Sequence, residues 1–326
     1  IYPLKDSPYT EDKTGLIFSS DANFISSGKS SKVQRDERQD YKPYNVLRYF
    51  PDGARHCYDI SVKQGTNYLF RAVFLYGNYD SRNIMPRFDL YIGPNIWTVV
   101  EANVFSLEEE IIHMTKSNSL QICLVKTGPT TPFISSLELW PLRNDIYVTP
   151  SGSLKLIQRV GMALFSYMRY PDDVFDRSWH TFGPANAIGI TAAPNVNLSN
   201  QYELPEVIIT TAGTPIFSSD SLRIEYGVDN RGDQVYMYLH FAEIRTLEAN
   251  ETRELDIRWP GNISTLAYRP KTLQTDTLVK ASSNECKGGP CFVGLVRTKR
   301  STLPPLLNAY EVYTVIEFQY SETYSD

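Results

Sequence analysis

A chain of 326 residues exceeds the usual size of one hydrophobic core, so two domains are expected before any motif is read. Its 42% hydrophobic and 21% charged residues suit a folded globular chain, and a net charge of −5 with scattered basic residues lacks the one-sign patch of a nucleic-acid binder. No apolar run approaches the roughly 18 residues of a membrane span, and no charged-then-apolar leader opens the chain, which points to a mature protein or an excised piece.

In chain order, Lys29–Lys42 is the densest charged stretch and mixes both signs. Cys57 opens the strand-like Cys-Tyr-Asp-Ile. Tyr68–Phe74 alternates with period two, which places Phe70, Ala72 and Phe74 on one buried strand face, and Phe88–Ile92 reads as a further strand. Ser106–Glu109 has the form of a helix capping box, yet Glu110–Met114 is expected as a strand because its surroundings are all β. Cys123 sits in the strand-like Gln-Ile-Cys-Leu-Val, and Pro141–Ser153 has linker chemistry, which sets the boundary near residue 150 and gives domains 1–150 and 151–326. Beyond it, Asp172, Asp173, Asp176 and Arg177 read as a turn in which carboxylates cap backbone amides and pair with Arg169 and Arg177, with an acidic catalytic cluster as the competing reading. Trp97, Trp140, Trp179 and Trp259 are expected in packing roles.

The second half repeats the first. One constant shift superposes Phe70, Ala72, Phe74 and Asp89 on Met237, Leu239, Phe241 and Asp256. Downstream, Leu124–Thr127 matches Leu295–Thr298, and Pro132–Leu139 matches Pro305–Val312 with the same proline-to-glutamate spacing. Four ordered blocks argue for two copies of one β domain. Short alternating segments punctuated by Gly, Pro, Asn and Asp make an all-β fold of antiparallel sandwiches the expected architecture.

Cys57, Cys123, Cys286 and Cys291 are even in number and allow three pairings. Cys286 and Cys291, with four residues between them, read as a small looped disulfide; four buried free thiols are the competing reading. Asn197, Asn250 and Asn262 head N-glycosylation sequons, which fits an extracellular chain. His56, His113, His180 and His240 stand alone, without the spacing of a metal site, and there is no nucleophile elbow or phosphate loop. No catalytic residue, metal or cofactor is therefore expected. His240 falls on the strand face opposite Met237 and Leu239, in a structural or surface role.

Eight stretches then resemble one family: Thr14–Phe24, Arg48–Pro51, Tyr68–Asp80, Phe88–Gly93, Thr131–Leu139, Arg169–Arg177, Leu239–Glu243 and Ser301–Tyr310. Together they resemble the malectin-like ectodomain of plant leucine-rich-repeat receptor kinases. The resemblance implies two tandem malectin-like β-sandwich domains with a jelly-roll character, on the extracellular face of the plasma membrane, with leucine-rich repeats, a membrane helix and a kinase to follow. It also implies ligand or partner binding rather than turnover, the partner being a co-receptor or a peptide or protein ligand, or in the alternative a cell-wall oligosaccharide. A glycoside hydrolase is the third reading, which needs two facing carboxyl groups.

This chain departs from animal malectin, in which two adjacent aromatics after the Phe-Ala-Glu segment help to grip a sugar. Arg245 and Thr246 stand there in the second copy, Asn78 and Tyr79 in the first. A glycan on Asn250 would crowd the same surface. The candidate ligand-binding surface is the loop carrying Tyr76, Asn78, Tyr79 and Asp80, running to Arg82 and Arg87. Tyrosine faces stack on pyranose rings, while Asn, Asp and Arg supply planar hydrogen bonds. The competing reading is a turn at Gly77 and Asn78 with the tyrosines packed on the sheet edge. For the cysteines, the expected pairs are Cys57–Cys123 and Cys286–Cys291.

Overall fold

The computed structural model describes residues 7–34, 40–101, 107–181, 183–192, 200–218, 221–228, 233–283 and 291–318. Two compact units divide the chain. One holds the residues up to Lys155 and those from Ile316, and the other is Leu156–Val315.

The first unit contains β1 (Tyr9–Thr10), β2 (Ile17–Phe18), β3 (Lys29–Lys32), β4 (Val46–Tyr49), β5 (Arg55–Ser61), β6 (Asn67–Phe74), β7 (Arg87–Ile92), β8 (Asn95–Glu101), β9 (Leu107–Met114), β10 (Ser119–Val125), β11 (Phe133–Ile134) and β12 (Ser136–Pro141). One layer orders its strands β5-β10-β7-β8, and the other orders β12-β6-β9. Strands β3, β4 and β11 form a small third sheet. Period-two alternation makes the core. Phe70, Ala72 and Phe74 pack with Phe88, Leu90 and Ile122 in one buried cluster. The helical signal before β9 loses to tertiary pairing, since Leu107–Met114 lies antiparallel against β6 over eight residues, Asn67↔Met114 to Phe74↔Leu107.

Next come β13 (Ser153–Gly161), β14 (Ala187–Thr191), α1 (Glu206–Thr210), β15 (Thr211–Pro215), β16 (Leu222–Tyr226), β17 (Gln234–Phe241), β18 (Leu255–Trp259), β19 (Ile263–Tyr268), β20 (Asp276–Ser283), β21 (Cys291–Arg297) and β22 (Ala309–Ile316). In the second unit one layer is β16-β21-β18-β19 and the other runs β13, β22, β17, β20. The duplication read in the sequence is thus a duplication of topology. Strands β6, β7, β10 and β12 have their counterparts in β17, β18, β21 and β22, with the same neighbours. Met237, Leu239 and Phe241 enter the second core together with Leu255 and Ile257. The copies differ at one edge: β22 carries β13 on the side away from β17, whereas β12 has no strand on the side away from β6 among the described residues.

Cys57 and Cys123 face each other in the β5–β10 register and are bonded, as expected from their strand settings. Cys291 is disulfide-bonded; Cys286, its expected partner, lies outside the described residues. Asn197 also lies outside them, while Asn250 is exposed in a turn.

Candidate functional site

The loop after β6 begins where the chain must leave the sheet at once. Gly77 has a φ of +46°, and a Cβ on it would lie 2.4 Å from the Val33 Cβ, so backbone conformation and close approach both require glycine. Its carbonyl accepts from the Gln34 N–H at 2.9 Å. Asn78, also at φ +46°, accepts from the Asn83 N–H at 2.9 Å through Oδ1 and from the Ser81 N–H at 3.0 Å through its carbonyl. Asp80 accepts from the Tyr76 hydroxyl and from the Arg82 N–H.

That bonding turns the aromatic rings inward. Tyr76 is 3% exposed, and burial with the Asp80 carboxylate beside it pushes its phenol up to about 12. Tyr79 is half-buried, with ring centroids 5.0 Å from Tyr49, 5.7 Å from Tyr76 and 6.2 Å from Phe133. Burial also raises its phenol, since the charged form loses its water. Tyr76 thus corrects the expectation of a stacking platform: its ring belongs to the core, and the turn-and-packing alternative describes the loop. Solvent meets Arg82, 71% exposed at its side chain, then Asn83, Ile84 and Met85. Arg87 pairs with Glu101 across the β7–β8 register, both exposed. The loop brings Asn78, Asp80 and Arg82 together at its tip and leaves Arg87 on the neighbouring strand β7.

In the second copy, Arg245 forks onto Glu251 with two bonds of 2.7 Å and holds its carboxyl at about 2. Glu243 takes Arg253 at 2.5 Å. No aromatic face occurs at Arg245 and Thr246, in keeping with the sequence.

The acidic cluster of the second unit is structural. Asp173 accepts from Arg177 Nε at 2.8 Å and from Trp179 Nε1 at 2.7 Å, and Asp176 accepts from Arg169 Nε at 2.8 Å. Asp173, Asp176 and Arg177 are fully buried, so this pair does not face an open cleft. Trp97, Trp179 and Trp259 are likewise buried, as the packing reading expects. Among the described residues no three His, Cys, Asp or Glu side chains are grouped to hold a metal ion.

Two buried charge clusters escaped sequence reasoning. In the first unit, Arg71 bonds Glu110 at 2.6 Å and Glu138 at 3.1 Å, with Glu108 at 4.0 Å. In the second, Glu311 accepts from Arg159 Nε at 2.8 Å and from the Tyr313 hydroxyl at 2.5 Å. His240 completes it. A carboxylate only accepts, so Nε2–H donates to Glu311 over 3.0 Å and Nδ1 accepts from the Thr277 hydroxyl over 2.9 Å. The usable signal was a charged residue at an apolar strand position: Arg71 in Leu-Phe-Arg-Ala-Val, Glu311 in Ala-Tyr-Glu-Val-Tyr.

Residues 3–315 match the Malectin-like domain family. Two Arabidopsis thaliana relatives are the probable LRR receptor-like serine/threonine-protein kinases MEE39 and PAM74, 47% and 48% identical over 98% and 97% of this chain. This chain spans only 37% and 36% of those proteins. Among solved structures, the ANX1 ectodomain of Arabidopsis thaliana superposes with a TM-score of 0.79 at 16% identity, over 98% of this chain and 97% of that one. The receptor FER, from its complex with the plant peptide RALF23 and LLG2, gives 0.74 at 18%, over 95% and 96%. With its tandem sandwiches matched from end to end, the chain belongs to the malectin-like domain family.

Proposed function

We infer that the chain is the extracellular, ligand-perceiving part of a plant receptor kinase, acting by contact with a peptide, a protein or a co-receptor. One observation carries this reading: receptor-like kinases 45–49% identical to it match over nearly its whole length, yet it spans about a third of each. Such a chain supplies recognition while phosphorylation belongs to the remainder of the protein. The FER neighbour, solved with a peptide and a second protein, supports a polypeptide partner for this fold. The loop tip at Arg82–Met85 is the recognition surface we favour over tyrosine stacking, because Tyr76 is buried. Among the described residues no helix is long and apolar enough to cross a membrane. The chain then sits on the outer face of the plasma membrane through segments beyond it.

The test is calorimetry of the secreted, glycosylated chain against a panel of synthetic secreted plant peptides and against cell-wall oligosaccharides at about 1 mM. The expected result is saturable binding to a polypeptide and no heat with the sugars. Saturable sugar binding with a flat peptide panel would transfer the chain to the carbohydrate-binding reading.

A further inference from the structure

Strand β13 is outermost in one layer of the second unit and β16 in the other, and between them lies a pocket of about 660 Å³, a volume suited to a small ligand or a short stretch of chain. It is formed before anything binds. The Tyr310 hydroxyl donates to Gln158 Oε1 at 3.2 Å, and Gln158 Nε2 donates to the Glu225 carbonyl at 3.3 Å, so β22, β13 and β16 are tied one to the next. Burial pushes the Tyr310 phenol up to about 12, which keeps it a donor.

The lining has two parts. Ile157, Val160, Pro184 and Ala185 give it an apolar wall. Arg223 and Glu225, 51% and 53% exposed at their side chains, pair with each other at 2.8 Å on its rim. The Phe292 ring, 4.1 Å from the Arg223 guanidinium carbon, holds that group in place. Among the described residues neither member of the pair has a second ion-pair partner. A guanidinium has several N–H donors and a carboxylate several acceptor sites, so one pairing exhausts neither. Arg159 and His180 also line the pocket, but the Arg159 guanidinium is bonded to Glu311, and the His180 ring meets the Tyr167 ring edge-on at 5.4 Å.

These groups select the occupant. The charges of Arg223 and Glu225 cancel, so the rim favours neither an anion nor a cation and offers instead a donor beside an acceptor. Among the described lining residues Tyr310 is the one Phe, Tyr or Trp, and at 3% exposure it presents no open ring face to a pyranose. An extended polypeptide meets both conditions. The N–H and C=O of one of its residues point the same way, while the side chain leaves at right angles to them.

We propose that this pocket takes an uncharged aliphatic side chain of an extended peptide segment, the N–H of that residue donating to Glu225 and its C=O accepting from Arg223. The apolar wall of Ile157, Val160, Pro184 and Ala185 receives the side chain, and the ion pair reads the main chain. The proposal rests on the polypeptide-perceiving reading above and adds to the loop tip of the first unit a site in the second.

The probe is the capped tripeptide acetyl-Ala-Leu-Ala-amide, titrated against the intact chain and read by saturation-transfer NMR. Binding should saturate below about 10 mM, with transfer greatest at the leucine methyls. Analogues with glycine, aspartate or lysine in the middle should bind about fivefold more weakly or worse. N-methylation of the leucine should cost about fivefold on the parent chain and nothing further on Glu225→Ala. Arg223→Ala should weaken the parent peptide by a similar factor. Ala185→Trp, at an exposed position, fills the mouth and should abolish binding while leaving the melting transition in place. No saturation, equal affinity for the glycine or charged analogues, the same N-methyl loss on Glu225→Ala, or binding that survives Ala185→Trp overturns the proposal. A monosaccharide that saturates the parent and not Ala185→Trp also overturns it, by making a sugar the occupant. A polypeptide partner that binds Ala185→Trp as tightly as the parent removes this site and leaves polypeptide perception standing.

Discussion

Replacing Arg159 by methionine removes a guanidinium bonded directly to a carboxylate from which burial has taken all water. Arg159 and Glu311 are both fully buried, and Glu311 also accepts from the Tyr313 hydroxyl and the His240 imidazole, which are neutral donors. Breaking such a pair by deleting one member costs about 3–5 kcal/mol, far above the ~0.5 kcal/mol of a surface change. For a unit of this size that is a fall in Tm of roughly 6–20 °C. The loss should shrink on acidification. Burial lowers the His240 pKa, helped by the Arg159 charge and opposed by Glu311. Burial would raise Glu311, but Arg159 and the His240 bond outweigh it and hold the carboxyl below its ordinary range. With Arg159 gone, both groups take protons more readily, so the pair neutralises itself as the pH falls. The assay is urea unfolding of Arg159→Met at pH 7.5 and 5.5 beside the double variant Arg159→Met/Glu311→Leu, which should recover much of the loss because no charge is stranded. A single variant within ~0.5 kcal/mol of the parent, or a double variant no better than the single, would refute the reasoning.

Three further outcomes are expected. In the parent protein, the depressed His240 pKa means the unfolded chain binds that proton first, so stability is fully present above about pH 6.5 and declines below it; Glu311 extends the decline below the ordinary carboxylate range. Urea midpoints across pH 7.5–4 check this, and His240→Gln should flatten the slope between about pH 7 and 5. Removing the disulfide with Cys57→Ala/Cys123→Ala frees a loop with a sequence separation of 66 and should cost about 4 kcal/mol in the chain-entropy account, read as a lowered melting transition. Gly77→Ala forces a Cβ to 2.4 Å from the Val33 Cβ at a left-handed φ and should cost about 2–3 kcal/mol, with faster exchange confined to the loop after β6.

The architecture was legible because strand periodicity is local and the chain states it twice. Phe70, Ala72 and Phe74, with Met237, Leu239 and Phe241, entered the two cores that their alternation assigned them. Cys57 and Cys123 were legible as strand residues, and the register set them opposite one another. The direction of the tyrosines at 76 and 79 was not legible. It depends on Phe133 and Tyr49, which come to the loop from other strands, and on the room that Val33 leaves at Gly77. The charge clusters were hidden for the same reason. A lone arginine in a strand says that a partner exists, but the partner of Arg71 lies 39 and 67 residues away.

Those clusters carry a lesson that the repeat alone does not. Both copies keep a glutamate at one place in the last strand of the repeat, buried at 138 and at 311. A buried carboxylate must find a cation or give up its charge. The second copy solves this from outside the repeat, with Arg159 on a strand laid along the edge of β22. The first draws on Arg71 of the neighbouring strand β6, and among the described residues no strand lies beyond β12. A carboxylate kept at one place in both copies is thus met by an arginine from a different flanking strand in each, so the repeat keeps the charge to be neutralised and not the strand that neutralises it.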